Sequence, residues 1–229
     1  MTIALVSFFR NCGWNGQVAR FFTQAAQLRN VLARTDAKLR VICVHGDCTD
    51  DTVPHIMRNA EFHDLAVQLV ECNHGGPMYG STEAPERLKA LSQIGNAGLG
   101  SIRDTDDYVV YVESDLIWDG ATIVRLLNRV SDEAHVVAPL IFAGEYFYDV
   151  FCFRKNGQRF APFPPYHSEL NHGGSLTQVD SVGSCLVMPG KVARECRIIE
   201  DNVLLGFCKD VWSKGYTVNV DASQKVVHP

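Results

Sequence analysis

The chain has 229 residues, of which 46% are hydrophobic and 21% are charged, and its formal net charge is −5 at pH 7. This is the composition of a globular protein with a full core, and the acidic balance argues against a protein that coats nucleic acid through a basic surface. The sequence does not open with a basic leader and cleavage site, and no segment approaches about 18 consecutive apolar residues. We therefore expect a soluble, cytoplasmic protein without membrane insertion.

Short apolar runs alternate with helical patterns through the first half of the chain. The pattern predicts strands at residues 2–8, 39–44, 65–71, 108–112 and 135–140, and helices at 17–32, 52–60, 83–99 and 120–130. Repeated β-α units are typical of an α/β fold with a mostly parallel sheet covered by helices. Ligands bind such sheets outside the carboxyl ends of the strands, where Asp47 and Asp115 fall.

The second half of the chain has a different character. From Gly144 to Gly174, aromatic residues, Pro and Gly dominate, which predicts long loops over one side of the sheet. A strand at 181–188, a helix at 204–214 and a strand at 217–220 are predicted after them. Because no linker interrupts the pattern, we predict one domain.

The predicted strand at 108–112 leads into two carboxylates spaced by one residue, Glu113 and Asp115. The alternation of a strand places both on the same side of its tip. Carboxylate oxygens are the ligands that Mg²⁺ and Mn²⁺ prefer, and these ions usually also hold substrate phosphates. The motif is therefore a candidate metal and nucleotide-diphosphate site, and a helix N-cap or a solvated turn is the alternative interpretation.

Three further residues have chemistry that suits such a site. Asp47 follows the second predicted strand, where a nucleobase or ribose contact and simple capping are both open interpretations. Arg87, nine residues before Asn96, can pair with a phosphate through its planar fork or lie on the surface. His228 is a natural ligand of divalent metals, or an exposed residue near the end of the sequence.

The order of these motifs resembles that of a GT-A fold glycosyltransferase. Three phrases, Gly46-Asp-Cys-Thr-Asp-Asp-Thr52, Phe147-Tyr-Asp149 and Val179-Asp-Ser-Val-Gly183, resemble the mannan-polymerase and capsule-associated mannosyltransferase families more than the large family 2. The resemblance implies a single GT-A type domain over residues 1–229, with a Rossmann-like, mostly parallel sheet flanked by helices. Residues 1–118 would form the nucleotide-sugar-binding half, and residues 119–229 a loop-rich acceptor-side half.

The resemblance also implies an activity, the metal-dependent transfer of a sugar from a UDP- or GDP-linked donor to a hydroxyl acceptor. Asp115 and His228 would bind Mn²⁺ or Mg²⁺. The residues implied to line the nucleotide-sugar site are Ser7, Arg10, Asp47, Arg87, Asn96, Glu113 and Ser114. Those implied to face the acceptor are Tyr148, Asp149 and Arg154.

The chain departs from the family 2 pattern at two places. Glu113 stands where an Asp is usual, and Leu204 and Leu205 occupy about the place where inverting members usually carry an acidic pair. A base would take the proton of the acceptor hydroxyl in an inverting reaction, whereas the mannan-polymerase relatives are retaining enzymes. The candidates for a base are Asp180, Glu200 and Asp201, and the stereochemistry stays open.

Two other classes of protein compete with this interpretation. A sugar-1-phosphate nucleotidyltransferase normally has a Gly-rich loop with Arg and Lys after the first strand, whereas this chain has no lysine between Ser7 and Gly16. A non-catalytic carbohydrate-binding protein of the same fold gains weight from the missing base. Among acceptors, a hydroxymethylated base in DNA is an alternative to a glycan, because the aromatic loops can stack a flipped base.

Overall fold

A computed structural model describes residues 1–80 and 83–229 of the chain. Its strands are β1 (Thr2–Phe9), β2 (Lys38–His45), β3 (Val67–Glu71), β4 (Tyr108–Val112), β5 (Val136–Ala143), β6 (Tyr146–Phe147), β7 (Arg154–Lys155), β8 (Gln158–Arg159), β9 (Thr177–Gln178), β10 (Cys185–Pro189) and β11 (Val218–Val227). Its α-helices are α1 (Gln17–Leu32), α2 (Thr52–Phe62), α3 (Pro85–Leu99), α4 (Gly120–Leu127), α5 (Gly190–Glu195) and α6 (Val203–Ser213).

Within those residues, the main sheet has nine strands, in the order β3-β2-β1-β4-β10-β5-β11-β9, with β6 paired to β5. Strands β1 to β4 are parallel to their neighbours, and β5 is parallel to β11. β10 runs antiparallel to both β4 and β5, so β4 and β5 point the same way. Six of the nine strands therefore share one direction, which confirms the predicted α/β fold with a mostly parallel sheet.

The helices cover the sheet in two groups. α1 packs against α2 and α4, whereas α3 packs against α6, and both α1 and α3 contact β2. Gly98 allows α3 to lie close to the sheet, since a Cβ atom there would come within 2.7 Å of Val6 Cγ1. The strands are almost continuously apolar because they are buried, as in residues 3–6 and 109–112.

The structure differs from the sequence prediction mainly at the ends of elements. α3 begins at Pro85, two residues later than predicted, because proline is well suited to the first turn of a helix. β10 begins at Cys185, whereas the strand was predicted to begin at residue 181, because Ser184 has a left-handed backbone with φ of 47°. β11 is much longer than predicted, since a register shift between Asp221 and Lys225 lets the strand continue past its polar segment.

The loop-rich character predicted for residues 144–174 is present in the structure. In that region three two-residue strands, β6, β7 and β8, interrupt turns and irregular backbone. In residues 1–80 and 83–229, every helix is too short or too polar to cross a lipid bilayer.

Candidate functional site

A cavity of about 530 Å³ opens where β1, β2 and β4 end. Arg10 lines it just after β1, Gly46 just after β2, and residues 113–115 just after β4. Parallel strands place their carboxyl ends along one edge of the sheet, and ligands bind at this edge in open α/β folds. The fold thus brings together the residues that the sequence places at strand ends.

The acidic segment after β4 is held on both sides by hydrogen bonds. The Glu113 amide donates to the Ser184 carbonyl over 2.9 Å. The Ser114 hydroxyl donates to the Phe8 carbonyl and accepts from Gln17 Nε2 at 2.7 Å. These bonds fix the segment between β1, α1 and the turn before β10, so its carboxylates have a defined position in the cavity.

His228 lies beside Asp115 because of the length of β11. Two hydrogen bonds between Ile117 and Val227, of 2.7 and 2.9 Å, join the segment after β4 to the end of β11. The next residue places its Nε2 atom 3.3 Å from Asp115 Oδ2. The ring of Tyr148 stacks on the imidazole at 3.9 Å between centroids and 18° between planes. The structure therefore brings the two predicted metal ligands into contact.

The contacts of Asp115 leave room for a cation. Its Oδ1 atom is buried and has no hydrogen-bond partner among the described residues. A carboxylate oxygen is a ligand that Mn²⁺ and Mg²⁺ prefer, and the imidazole nitrogen beside it is a common ligand of divalent metals. In the described part of the chain, no group of three or more His, Cys, Asp and Glu side chains is arranged to hold a metal ion. The pair fits a cation that takes its remaining ligands from a bound diphosphate and water.

Three of the carboxylates that line the cavity, those of Glu113, Asp115 and Asp149, interact with one another. The pKa of Glu113 is raised to about 8, mainly by burial and then by the nearby charges of Asp115 and Asp149, while Arg87 opposes the shift. Burial also raises the pKa of Asp149, although the Ser184 hydroxyl donates to its carboxylate over 2.8 Å. Because like charges are crowded here, this end of the cavity favours a cationic ligand.

Asp47 and Arg10 together hold the loop of residues 74–77. The Asp47 carboxylate accepts the amide hydrogens of His74 at 2.9 Å and of Gly75 at 3.1 Å, and the His74 bond is the main reason that its pKa is lowered. The Arg10 guanidinium donates to the carbonyls of residues 76 and 77 over 2.7 and 3.0 Å. The loop continues into Met78, which lines the cavity. Arg10 faces the cavity, whereas Asp47 acts through the loop.

Besides Asp47, two residues predicted to line the nucleotide-sugar site lie outside the cavity. Ser7 is fully buried and lies outside the cavity lining. The Asn96 side-chain amide donates to the Ile198 carbonyl over 2.9 Å, and its oxygen accepts the Ile198 amide hydrogen over 2.8 Å. Ser92 accepts the Val203 amide hydrogen over 3.0 Å. Asn96 and Ser92 thus attach the segment before α6 to α3.

The three acids predicted as bases lie outside the first cavity. Two of them, Asp180 and Glu200, line a second groove of about 600 Å³, whereas Asp201 lines neither cavity. Arg154 also lines the second groove. The Asp180 carboxylate accepts the Gly157 amide hydrogen at 2.6 Å, and Glu200 pairs with Lys209 at 2.5 Å. By contrast, Tyr148 and Asp149, predicted to face the acceptor, line the first cavity.

The segment that leads into α6, up to the first residue of the helix, has a strained backbone. Glu200, Asp201 and Val203 have φ values of 59°, 47° and 43°, in the left-handed region. This region is costly for a β-branched residue such as Val203, and such strain is most common near functional sites. Leu204, which follows, lines the first cavity.

Sequence reasoning missed several residues that line the cavity. Gln17 begins α1 directly after the loop from β1, and its amide donates to Ser114. Its position gives a usable signal, because the first turn of the helix after a strand lies at the ligand-binding edge of such sheets. Phe151 and Ser184 come from irregular segments whose sequence carries no comparable signal.

Comparison with known proteins supports the fold. No family model and no curated protein matches the chain. Three of the similar solved structures are a mycobacterial protein (TM-score 0.55, 15% identity, covering 100% of this chain and 67% of that one), S. aureus TarS 1–349 in complex with UDP (0.53, 14%, 99% and 60%), and the inositol-1-phosphate CTP transferase from T. maritima (0.55, 10%, 99% and 88%).

At these identities the likeness shows the fold alone, and it agrees with the GT-A-like α/β architecture predicted from the sequence. This chain spans about 60% of the TarS 1–349 chain. The narrower resemblance to the mannan-polymerase and capsule-associated mannosyltransferase families finds no support, because no family model matches.

Proposed function

We propose that this chain is a metal-dependent glycosyltransferase, which moves a sugar from a nucleotide-sugar donor to a hydroxyl group of an acceptor. The proposal depends on one observation above all. Asp115 lines the cavity at the carboxyl end of β4, has an oxygen without a hydrogen-bond partner among the described residues, and lies 3.3 Å from His228. This is a donor pair suited to a cation that also binds a diphosphate.

The cavity has the size and walls that a nucleotide sugar needs. Its volume of about 530 Å³ lies within the usual range of small-molecule sites. Arg87 lines it and is close enough to Glu113 to lower the pKa of that carboxyl. A planar guanidinium there suits the oxygens of a diphosphate. Asp115 and His228 would hold Mn²⁺ or Mg²⁺, whose charge would offset the negative charge that builds on the leaving diphosphate.

The acceptor would occupy the second groove, which adjoins the cavity. Of the three acids predicted as bases, Asp180 and Glu200 line this groove. They are therefore our candidates to take the proton of the acceptor hydroxyl if the reaction is inverting. The acceptor would be a glycan in the first instance, with a hydroxymethylated DNA base as the alternative.

A nucleotidyltransferase is the second candidate, because the CTP transferase from T. maritima resembles this chain with a TM-score of 0.55 over 88% of its own length. The loop after β1 favours the glycosyltransferase. The Cys12 amide donates to the Thr52 hydroxyl over 2.8 Å, and the Gly13 amide donates to the Asp50 carboxylate over 2.9 Å. Amides that a triphosphate would need are thus already bonded, and a carboxylate lies beside them.

Calorimetry with UDP, GDP and CDP, with and without Mn²⁺, tests the proposal. UDP is the first probe, because a solved structure of similar fold contains it. We expect Mn²⁺ to strengthen binding, and Asp115→Asn and His228→Ala each to remove this metal effect. The exposed Asp132 lies outside both cavities, so Asp132→Asn is the matched control. Absence of binding at millimolar nucleotide, or a metal effect that survives both substitutions, would refute the donor site.

A turnover assay separates the two enzyme classes. A glycosyltransferase releases nucleoside diphosphate from a nucleotide sugar, whereas a nucleotidyltransferase releases pyrophosphate from a nucleoside triphosphate and a sugar phosphate. Release of pyrophosphate without release of a nucleoside diphosphate would favour the nucleotidyltransferase. Metal-dependent nucleotide binding without turnover of either kind would favour a non-catalytic carbohydrate-binding protein.

A further inference from the structure

The second groove is continuous with the donor cavity. Glu83, Leu88 and Phe151 line both. The groove then extends over the start of β7 and over α6, where Trp212 lines it and is 37% exposed. A molecule bound in the groove would therefore reach the donor cavity at one end and pack against the ring of Trp212 along its length.

Most charged side chains of the groove are already paired with protein. Both oxygens of Glu83 accept from the fork of Arg159, at 3.0 Å each. Lys209 pairs with Glu200 at 2.5 Å. Asp180 accepts the amide hydrogen of the β7–β8 turn at 2.6 Å. Arg159 and Lys209, two of the basic residues of the groove, are therefore each paired with a carboxylate of the groove itself.

Arg154 differs from its neighbours. Its backbone amide donates to the Ser181 carbonyl over 3.1 Å, and its own carbonyl accepts from the Asp180 amide over 2.8 Å, so the residue is held firmly in place. Its Nε atom, however, is buried and has no hydrogen-bond partner among the residues that the structure describes. A buried guanidinium donor without an acceptor is costly, and an oxyanion is the partner that fits its planar fork.

We propose that the groove binds the acceptor as a sugar that carries a carboxylate or a phosphate, and that this anionic group pairs with Arg154. The ring of such a sugar can pack on Trp212, whose indole N–H is already fixed by the Asp180 carbonyl at 3.0 Å. The inference rests on the proposed function, since it names the class of acceptor that the proposed glycosyltransferase would use.

The test compares three probes that share one aglycone: p-nitrophenyl glucoside, p-nitrophenyl glucuronide, and the same glucoside phosphorylated on its primary hydroxyl. Their dissociation constants are measured by NMR titration of the isotope-labelled protein. We expect at least one charged probe to bind roughly tenfold more tightly than the neutral one, as one charge-assisted pair implies. The tighter of the two charged probes then distinguishes a carboxylate from a phosphate.

Variants decide whether Arg154 is responsible. Arg154→Gln should remove the preference for the charged probe, and Arg154→Lys, which keeps the charge without the fork, should retain only part of it. Arg125→Gln is the matched control, because Arg125 is exposed, bonds to Gln224 and lies outside the groove. Thermal melting checks that each variant is folded. If Arg154→Gln does not fold, the Arg154→Lys variant and the comparison of probes on the unmodified protein still decide whether Arg154 binds the anionic group.

Titration of UDP into the same samples keeps the two proposals apart. UDP binding without any preference for charged sugars, or a preference that Arg154→Gln retains, overturns the groove inference alone. A charged-sugar preference without binding of any nucleotide overturns the proposed function and leaves a protein that binds anionic sugars.

Discussion

Replacing Asn96 with alanine separates a structural role of this residue from a role in donor binding. The side chain makes two hydrogen bonds to the backbone of Ile198, of 2.9 and 2.8 Å, across a sequence separation of 102 residues. A net contribution of about 1 kcal/mol for each bond gives a loss of about 2 kcal/mol in the free energy of unfolding. For a domain of this size, that loss corresponds to a decrease in Tm of roughly 4–8 °C.

Differential scanning calorimetry measures the change in Tm, and titration calorimetry with UDP measures the effect on the donor site. Because Asn96 lies outside the cavity lining, we expect the nucleotide affinity of Asn96→Ala to change by less than about twofold, well under the tenfold that 1.4 kcal/mol represents. Asn59→Ala is the control, since Asn59 makes one 2.8 Å bond within α2. An unchanged Tm together with a tenfold weaker nucleotide affinity would refute this reasoning and support a donor contact.

Three further predictions concern charge, the loop over the cavity and packing. The pKa of Glu113 is about 8 in the folded protein and near 4.5 in the unfolded chain. Between these pH values the folded protein keeps this carboxyl protonated while the unfolded chain loses the proton, so the stability of the fold falls as pH rises through this window. Glu113→Gln should therefore raise the free energy of unfolding at pH 8 by about 4 kcal/mol, and have little effect near pH 4.5. Arg10→Ala should free residues 74–77, which limited proteolysis detects, and weaken UDP binding. Gly206→Ala should destabilise the protein by roughly 3 kcal/mol in urea melts, because its Cβ would come 2.0 Å from the Ile199 carbonyl oxygen.

Each of these predictions has its own control. The Glu113 variant is compared with itself at the two pH values, and an equal effect at both would contradict the pKa argument. Arg29→Ala is matched to the Arg10 variant, since Arg29 also holds a turn through two carbonyls but lies outside the cavity. Gly100→Ala is matched to the Gly206 variant, because its nearest atom is 3.2 Å away. If Gly206→Ala melts like Gly100→Ala, the backbone contact is not limiting.

Much of the fold could be predicted because burial on both faces of a strand requires continuous apolar residues. Residues 3–6 and 109–112 show this pattern, and both are strands in the centre of the sheet. Strand β11 was predicted too short because its polar middle resembles a loop. The buried Asp221 is tolerated there because it pairs with Arg129 at 3.2 Å, across 92 residues of sequence.

The candidate site, like the fold, could be predicted only in part from the sequence. The period of two in a strand and the apolar run before Glu113 were enough to predict that Glu113 and Asp115 lie at the edge of the sheet where its parallel strands end, since these are local properties of the chain. Only the tertiary structure decided which side chains reach that edge. His228 lies beside Asp115 because β11 continues through a register shift, whereas Asn96 turns to the backbone of Ile198. Such contacts join distant segments, and their geometry depends on how all the elements pack together.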